Sequence, residues 1–537
     1  MARKETKVIV IGLDAATLDL IEPWAREGKL SNFANLMEEG SWGVLKSTYP
    51  FVTPTAWASF VTGVNPGKHG IFGFTNASPD NPTSLGLPRI SHRYMGVPPI
   101  WDILCKYGKK VCLVNFPFAF PPTPVNGIMT SGMGTPSVQS EFVYPKELKN
   151  EILEKFDFLP DYGAEVYKSK EAFCEIHDRN LEEMLKLSIY MLNKDSWDFY
   201  MCVLMEIDHV QHMFWADMDE NHPLHDEKNA DKYKNKILEY YKKFDNFLGE
   251  VIKYVGNDTI LIICSDHGAG PSYKRMALNA WLMREGYLKL KEGGMFKKVL
   301  RKILFRAGFD TEKIKRILHK LNLSKYVHSS PVFLRELIPS KETKMWDIDW
   351  KNTKAYVIQS YGQICINRSV VSEREYDAVT EEIIRKLYEL KDPNTGESIV
   401  KRVYKKEDIY SGPHISKAPD IYITLKDETC EIVRFSEDGE IFTSPYLSGA
   451  HKENGVFFVY GRGIRKGLKL ENASIYDIFP TILHIMGIPI PKYVDGRVLN
   501  EIFEGSELAR GRIRYPKQDV KNQIKDKIKK IKSQGKI

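Results

Sequence analysis

A chain of 537 residues exceeds what one hydrophobic core usually organises, so two domains, or one large domain with an insertion, are expected and a small binding module is excluded. With 43% hydrophobic, 12% aromatic and 27% charged residues, there is enough apolar material to offset the entropy of ordering, which excludes intrinsic disorder for most of the length. The net charge of +7 is concentrated: Leu288 to His328 holds 12 Lys/Arg against 3 Asp/Glu, and Arg510 to Ile537 holds 11 against 2, so the remaining body is acidic.

In chain order, short β-branched runs alternate with helical periodicity. Val8 to Leu13 reads as a strand, Ser31-Asn32-Phe33 opens a helix that Gly40 closes, and Val111 to Asn115 reads as a second strand. A helical stretch near Glu171 to Leu192 leads to a strand at Phe199 to Met205, and another at Lys232 to Val255 leads to Thr259 to Cys264. This alternation predicts an α/β fold with a mostly parallel central sheet and helices on both faces. Such a sheet presents the carboxyl ends of its strands to ligands.

From Gly286 to Met345 the pattern changes. Phe296, Val299, Leu300, Ile303 and Leu304, then Ile314, Ile317, Leu318 and Leu321, fall at helical spacing among lysines and arginines, which predicts an inserted basic helical cap. Strand-like runs resume at Lys354 to Gln359, Gly362 to Asn367, Asp420 to Leu425 and Gly455 to Tyr460. The expected division is a discontinuous catalytic core of residues 1–285 and 346–505, the cap at 286–345, and a basic tail at 506–537 with Val520, Ile524, Ile528 and Ile531 on one helix face. No apolar run approaches the ~18 residues that cross a bilayer. The N-terminal apolar run stops at Leu13, and the seven cysteines are scattered without C-x-x-C spacing. These features point to a cytoplasmic location, reduced thiols and no thiolate zinc site.

Three predicted strands lead into an aspartate: VIVIGLD at Asp14, FYMCVLMEID at Asp208 and TILIICSDHG at Asp266. One such aspartate commonly serves as a turn or helix cap, whereas three at the carboxyl ends of strands, where ligands bind in open α/β sheets, are harder to dismiss. Asp208 and His212 stand at i and i+4, one helical face apart, His267 follows Asp266, and His451 sits in SGAHKENG. Each histidine alone is more often a hydrogen-bonded core or surface residue. Together, carboxylates and imidazoles without a cysteine suit divalent ions such as zinc or manganese. Thr53 precedes Pro54, the pairing of an N-cap with proline at the first helical position, and a hydroxyl at a helix N-terminus is placed to meet phosphate. Lys68, in NPGKHG, is a candidate phosphate contact or a helix-end residue.

The order of Asp14, the TPTAWASFVTG block, Asp208-x-x-x-His212, Ser265-Asp266-His267-Gly268 and Gly-x-His451 resembles the alkaline phosphatase superfamily, in particular its type I phosphodiesterase/nucleotide pyrophosphatase and phosphohydrolase/phosphomutase branch. The resemblance runs from Lys7 to Phe503. It implies an alkaline-phosphatase-like fold and a two-metal phosphoric ester hydrolase, a phosphodiesterase, nucleotide pyrophosphatase or phosphatase, that forms a phospho-enzyme on Thr53. It also implies that Asp14, Thr53, Asp266 and His267 hold one divalent ion, Zn2+ or Mn2+, while Asp208, His212 and His451 hold the other. Relatives specialised for nucleotide diesters carry an asparagine soon after the His-Gly-Ile motif. Here His69-Gly70-Ile71 is followed by Phe72-Gly73-Phe74, and Asn76 is the nearest candidate for substrate contact. Two alternatives use the same residues differently: a phosphomutase of the cofactor-independent phosphoglycerate mutase type, and a non-catalytic scaffold that binds anionic lipid or nucleic acid through the basic segments. The expected partner is a small anionic phosphate ester, and no motif selects among nucleotide, lipid headgroup and sugar phosphate.

Overall fold

The computed structural model describes residues 6–82, 84, 86–162, 169–291, 345–436 and 439–505. The apolar stripes of the expected cap and the basic tail lie outside the described residues. No helix among those described is long and apolar enough to cross a membrane.

Seven strands of the first half, β1 (Lys7–Leu13), β2 (Ser41–Lys46), β3 (Val111–Phe116), β4 (Gly127–Ser131), β5 (Val143–Tyr144), β6 (Phe199–Leu204) and β7 (Thr259–Cys264), join two late strands, β17 (Asn454–Gly461) and β18 (Leu468–Ser474), in a nine-stranded sheet. Its order is β18-β2-β17-β7-β1-β6-β3-β4-β5. β1 pairs in parallel with β6 on one side and β7 on the other. Only β17 and β5 run antiparallel to their neighbours. Every residue of β3, β6 and β7 is buried, which is why these strands read as unbroken apolar runs rather than alternating ones. Helices cover both faces. One face packs Trp57, Trp101, Phe116 and Phe479, and the other packs Phe33, Tyr200, Tyr241 and Phe458.

The chain after the basic insertion contributes both to the two faces of the large sheet and to hydrophobic clusters apart from it. β10 (Ala355–Tyr356), β11 (Gln363–Ile366), β12 (Val400–Lys405) and β13 (Ile421–Leu425) form a separate antiparallel sheet in the order β10-β11-β13-β12, not a continuation of the large one. With the helices Leu278–Arg284 and Glu373–Glu389 they bury Trp281, Tyr356, Ile364, Ile383 and Ile423 in a core of their own. A three-stranded sheet of β9 (Lys274–Ala277), β14 (Cys430–Val433) and β15 (Phe442–Thr443) flanks them. Of the later strand-like runs, the one near Gly455 to Tyr460 returns to the large sheet, as β17. The two-stranded ribbon of β8 (Gly268–Pro271) and β16 (Gly449–Lys452) then hangs from the carboxyl end of β7, with His451 opposite Ala269.

Candidate active site

Because β6, β1 and β7 are adjacent and parallel, their carboxyl ends open side by side. Asp14 follows β1 directly and its backbone N–H donates to Leu204 O at 3.0 Å. The chain then turns through Ala15, which adopts a left-handed φ of 59° and donates its N–H to Asp266 Oδ1 at 3.2 Å. β6 stops at Leu204, earlier than the sequence suggested, and a helix spans Glu206–Met218. Asp208 therefore lies in a first helical turn, where an acidic side chain suits the positive end of the helix dipole, and it shares a face with His212. Asp266 and His267 occupy the turn between β7 and β8, and the ribbon brings His451 over them.

The three aspartates and three histidines meet. His212 Nε2 and His451 Nε2 lie 3.2 and 3.4 Å from Asp208 Oδ1, and 3.1 Å from each other. His267 Nε2 lies 3.3 Å from Asp266 Oδ2 and 3.7 Å from Asp14 Oδ1, and its ring stacks on His451 at a centroid distance of 3.9 Å. Among the described residues, two groups have the spacing to hold a metal ion: Asp208 with His212 and His451, and Asp14 with Asp208 and His267.

The chemistry of these atoms fits cations. His212 Nδ1 donates to Gly449 O at 2.7 Å and His267 Nδ1 to Gly268 O at 3.0 Å. In the neutral ring this leaves His267 Nε2 as a lone pair, aimed at carboxylate oxygens that offer only lone pairs in return, whereas His212 Nε2 faces Asp208 as a proton or a cation would require. Asp14 Oδ1, Asp208 Oδ1 and Asp266 Oδ2 are buried without a hydrogen-bond partner. Burial, and then the charges of Asp266 and Asp208, push the Asp14 carboxyl well above the ordinary carboxylate range, and burial likewise pushes Asp266 up. Burial also opposes ionisation of Asp208, yet His212 and His451 beside it hold it well below that range. His212, against its own burial, is raised by Asp208 to about 9. Burial and then His451 lower His267 well below its usual value. Buried like charges and facing lone pairs are what a divalent ion would relieve.

Thr53 opens the buried helix Thr53–Thr62. The expected N-cap role falls instead to Val52, and Thr53 takes the first helical position beside Pro54. Its hydroxyl is thus not used for capping, and it faces His267 Nε2 at 3.5 Å. One turn on, Trp57 Nε1–H donates to Asp14 Oδ2 at 2.9 Å. Sequence reasoning missed Trp57, although its i+4 spacing from Thr53 places the two on one helix face. It also missed Ser47, whose hydroxyl donates to Asp266 O at 2.5 Å, and Gln211, whose amide donates to Ala15 O at 3.0 Å. Tyr361 comes from the second lobe to lie parallel to the His451 ring at 5.2 Å and 14°, and no local signal marks it.

The two remaining candidates stand apart from this constellation. Lys68 lies beyond the far end of the Thr53 helix, where its ammonium pairs with Asp495 and donates to Tyr493 O at 2.8 Å. Asn76 uses its side-chain N–H to donate to Leu87 O at 2.9 Å, and it lines a cavity of about 660 Å3 with Phe72, Thr75 and Arg89 that no aspartate or histidine of the cluster reaches.

The sequence model of the type I phosphodiesterase/nucleotide pyrophosphatase family matches residues 8–452. The chain belongs to that family. It is thus a member of the alkaline phosphatase superfamily and a hydrolase of the phosphodiesterase/nucleotide pyrophosphatase type, a family that typically depends on two metal ions. No curated protein matches this chain. Similar solved structures include murine ectonucleotide pyrophosphatase/phosphodiesterase 5, at 15% identity and a TM-score of 0.49, covering 93% of this chain and 100% of that one. An inactive threonine-to-alanine form of the same murine protein, in complex with AMP, gives 16%, 0.48, 90% and 96%. The human protein of that name gives 15%, 0.47, 90% and 95%.

Proposed function

We propose that the protein hydrolyses phosphoric esters through a phospho-threonine intermediate on Thr53, at a centre of two divalent ions, zinc or manganese. The observation that carries this reading is the Thr53 hydroxyl, free of capping and 3.5 Å from His267 Nε2 within a buried set of partnerless aspartate oxygens. Asp14, Thr53, Asp266 and His267 would hold one ion, and Asp208, His212 and His451 the other. When bound, the ions would lower the pKa of the hydroxyl and offset the charge that builds on the attacking and leaving oxygens.

The residues then divide the work. Thr53 Oγ1 gives its proton to solvent and bonds to phosphorus, while the bond from phosphorus to the ester oxygen breaks and that oxygen leaves with the electron pair, taking a proton from solvent to depart as the alcohol. Water next attacks the phospho-threonine, releasing phosphate or a phosphate monoester and restoring the hydroxyl. Trp57 and the Ala15 N–H hold Asp14 and Asp266 in orientation throughout. The neighbouring hydroxyls are poorly placed to replace Thr53. Ser59 Oγ is engaged with His69 Nε2 at 2.9 Å, and Thr55 Oγ1 has no hydrogen bond to the centre among the described residues.

Thr53→Ala and Thr53→Ser, assayed on chromogenic monoesters and diesters after metal loading, test the assignment. Thr53→Ala should lose nearly all turnover and retain its thermal midpoint, Thr53→Ser should retain part, and acid quenching of the parent should trap phosphate on the Thr53 peptide. Elemental analysis should find two ions per chain. Near-parental turnover by Thr53→Ala, with loss in Thr55→Ala or Ser59→Ala, would overturn it.

A further inference from the structure

A second cavity, of about 310 Å3, opens beside His451. Three distant parts of the sequence wall it: Tyr49 and Phe51 from the segment that leads into Thr53, Tyr361 and Tyr404 from the second lobe, and His451 and Lys452 from β16. The rings are ordered against one another. Tyr49 and Tyr404 have centroids 5.4 Å apart, Tyr49 meets Phe51 edge-on at 6.4 Å, and Tyr361 lies between Phe74 at 6.3 Å and His451 at 5.2 Å. Tyr361 holds this place at a left-handed φ of 78°, unusual for a bulky residue, with its N–H donating to Ile432 O at 3.0 Å. Strain of that kind collects where a side chain must be presented to a ligand.

The charges on the walls partly cancel. Lys46 pairs with Glu453 at 3.2 Å and Lys401 with Glu428 at 3.7 Å, while Asp427 pairs with Lys274 at 2.9 Å. Arg402 lies over the Tyr404 ring at 4.8 Å and Lys452 donates to Pro271 O at 3.4 Å. Among the described residues neither has a carboxylate within ion-pair distance. The cavity therefore offers aromatic faces set among four cationic and four acidic side chains, at a size near the lower end of ligand pockets.

Its position indicates which part of a substrate it takes. The Thr53 hydroxyl sits against His267, and an in-line displacement sends the departing oxygen to the side of phosphorus opposite the attacking one. His451 belongs to the other cluster, and it lines the cavity. We propose that this cavity is the leaving-group subsite and that it selects leaving groups carrying an aromatic ring. The proposal rests on the hydrolase reading above. As the Thr53 oxygen bonds to phosphorus, the bond to the aryl oxygen breaks, and the aryl oxide leaves with the electron pair and takes a proton from solvent.

Tyr404→Ala and Tyr404→Phe in the metal-loaded full chain test it with two esters: methyl p-nitrophenyl phosphate, whose ring leaves, and trifluoroethyl phenylphosphonate, whose ring stays on phosphorus. Tyr404→Ala should lower kcat/KM about tenfold on the first, mainly through KM, and less than about twofold on the second, with Tyr404→Phe near parental on both, as the loss of one ring contact requires. Equal loss on both esters, loss confined to the second, or no loss on either would overturn it. Calorimetric binding of 1-naphthylphosphonate to Thr53→Ala chains, with and without Tyr404→Ala, separates the two readings. If no ester is turned over, the hydrolase reading falls. About tenfold weaker binding without the Tyr404 ring still supports the cavity as an aromatic subsite, and unchanged binding overturns it.

Discussion

Trp57 and Asp14 are joined by a single hydrogen bond, the indole Nε1–H donating to Oδ2 at 2.9 Å, so the helix that carries Thr53 also fixes the carboxylate at the end of β1. Both residues are fully buried, and the other oxygen of Asp14 has no partner. One carboxylate oxygen is thereby committed to orientation and the other is left for the centre.

Replacing that donor should therefore act on the metal centre before it acts on the fold. Trp57→Phe is expected to weaken metal affinity by about 10–100-fold, the usual cost of losing a partner that orients a metal-binding side chain. Competition against a chromogenic chelator, read beside the thermal midpoint, checks this. Unchanged metal affinity would remove Trp57 from the site.

Gly12 leaves room for the same indole. A Cβ at Gly12 would lie 2.6 Å from Trp57 Cη2 and 3.2 Å from Val203 Cγ2. Gly12→Ala should destabilise the protein by about 1–3 kcal/mol through overpacking. Gly12→Ala combined with Trp57→Phe should cost less than the sum of the two, since both act at one contact. Denaturant midpoints of the three variants would show the coupling, and strict additivity would contradict it.

Three buried aspartates within one centre repel each other when no cation is present. Asp14→Asn should raise the thermal midpoint of chelator-treated protein above that of the parent and lower the midpoint of metal-loaded protein below it. Thermal unfolding with and without chelator measures both signs. A fall in both conditions would mean that Asp14 is a structural residue.

His69 is buried, its Nδ1 accepts the Ile71 N–H at 3.1 Å, and its Nε2–H therefore donates to Ser59 Oγ at 2.9 Å. Burial, and then His414, lower its pKa to about 3. A depressed histidine pKa means that the unfolded chain takes up the proton first. The contribution of His69 to stability is therefore present above about pH 6.5 and declines as pH falls towards 3. Between pH 6.5 and 5 it should amount to roughly 2 kcal/mol. The denaturant midpoint of His69→Leu should fall less steeply over that interval than the parent's, and equal slopes would refute the assignment.

Much of this was legible in the sequence because it is local. β1, β3, β6 and β7 are buried on both faces, so their apolar runs mark them, and the aspartates stand where such runs end. The i, i+4 spacing of Asp208 and His212 needs only a helix to place both on one face. Local patterning could not decide which sheet a later strand joins. β11 and β17 are both apolar β-branched runs, yet one pairs with β10 and β13 in the second lobe and the other with β7 and β2, because partner choice depends on contacts distant in sequence. The same physics hid Tyr361, whose neighbours Phe74 and His451 are far away along the chain, and it sent Lys68 to Asp495. The residue types of the centre and their order belong to the sequence, whereas their convergence, the hydrogen bond on Asp14 and the aromatic cavity beside His451 exist only once non-local strand pairing has closed the sheet.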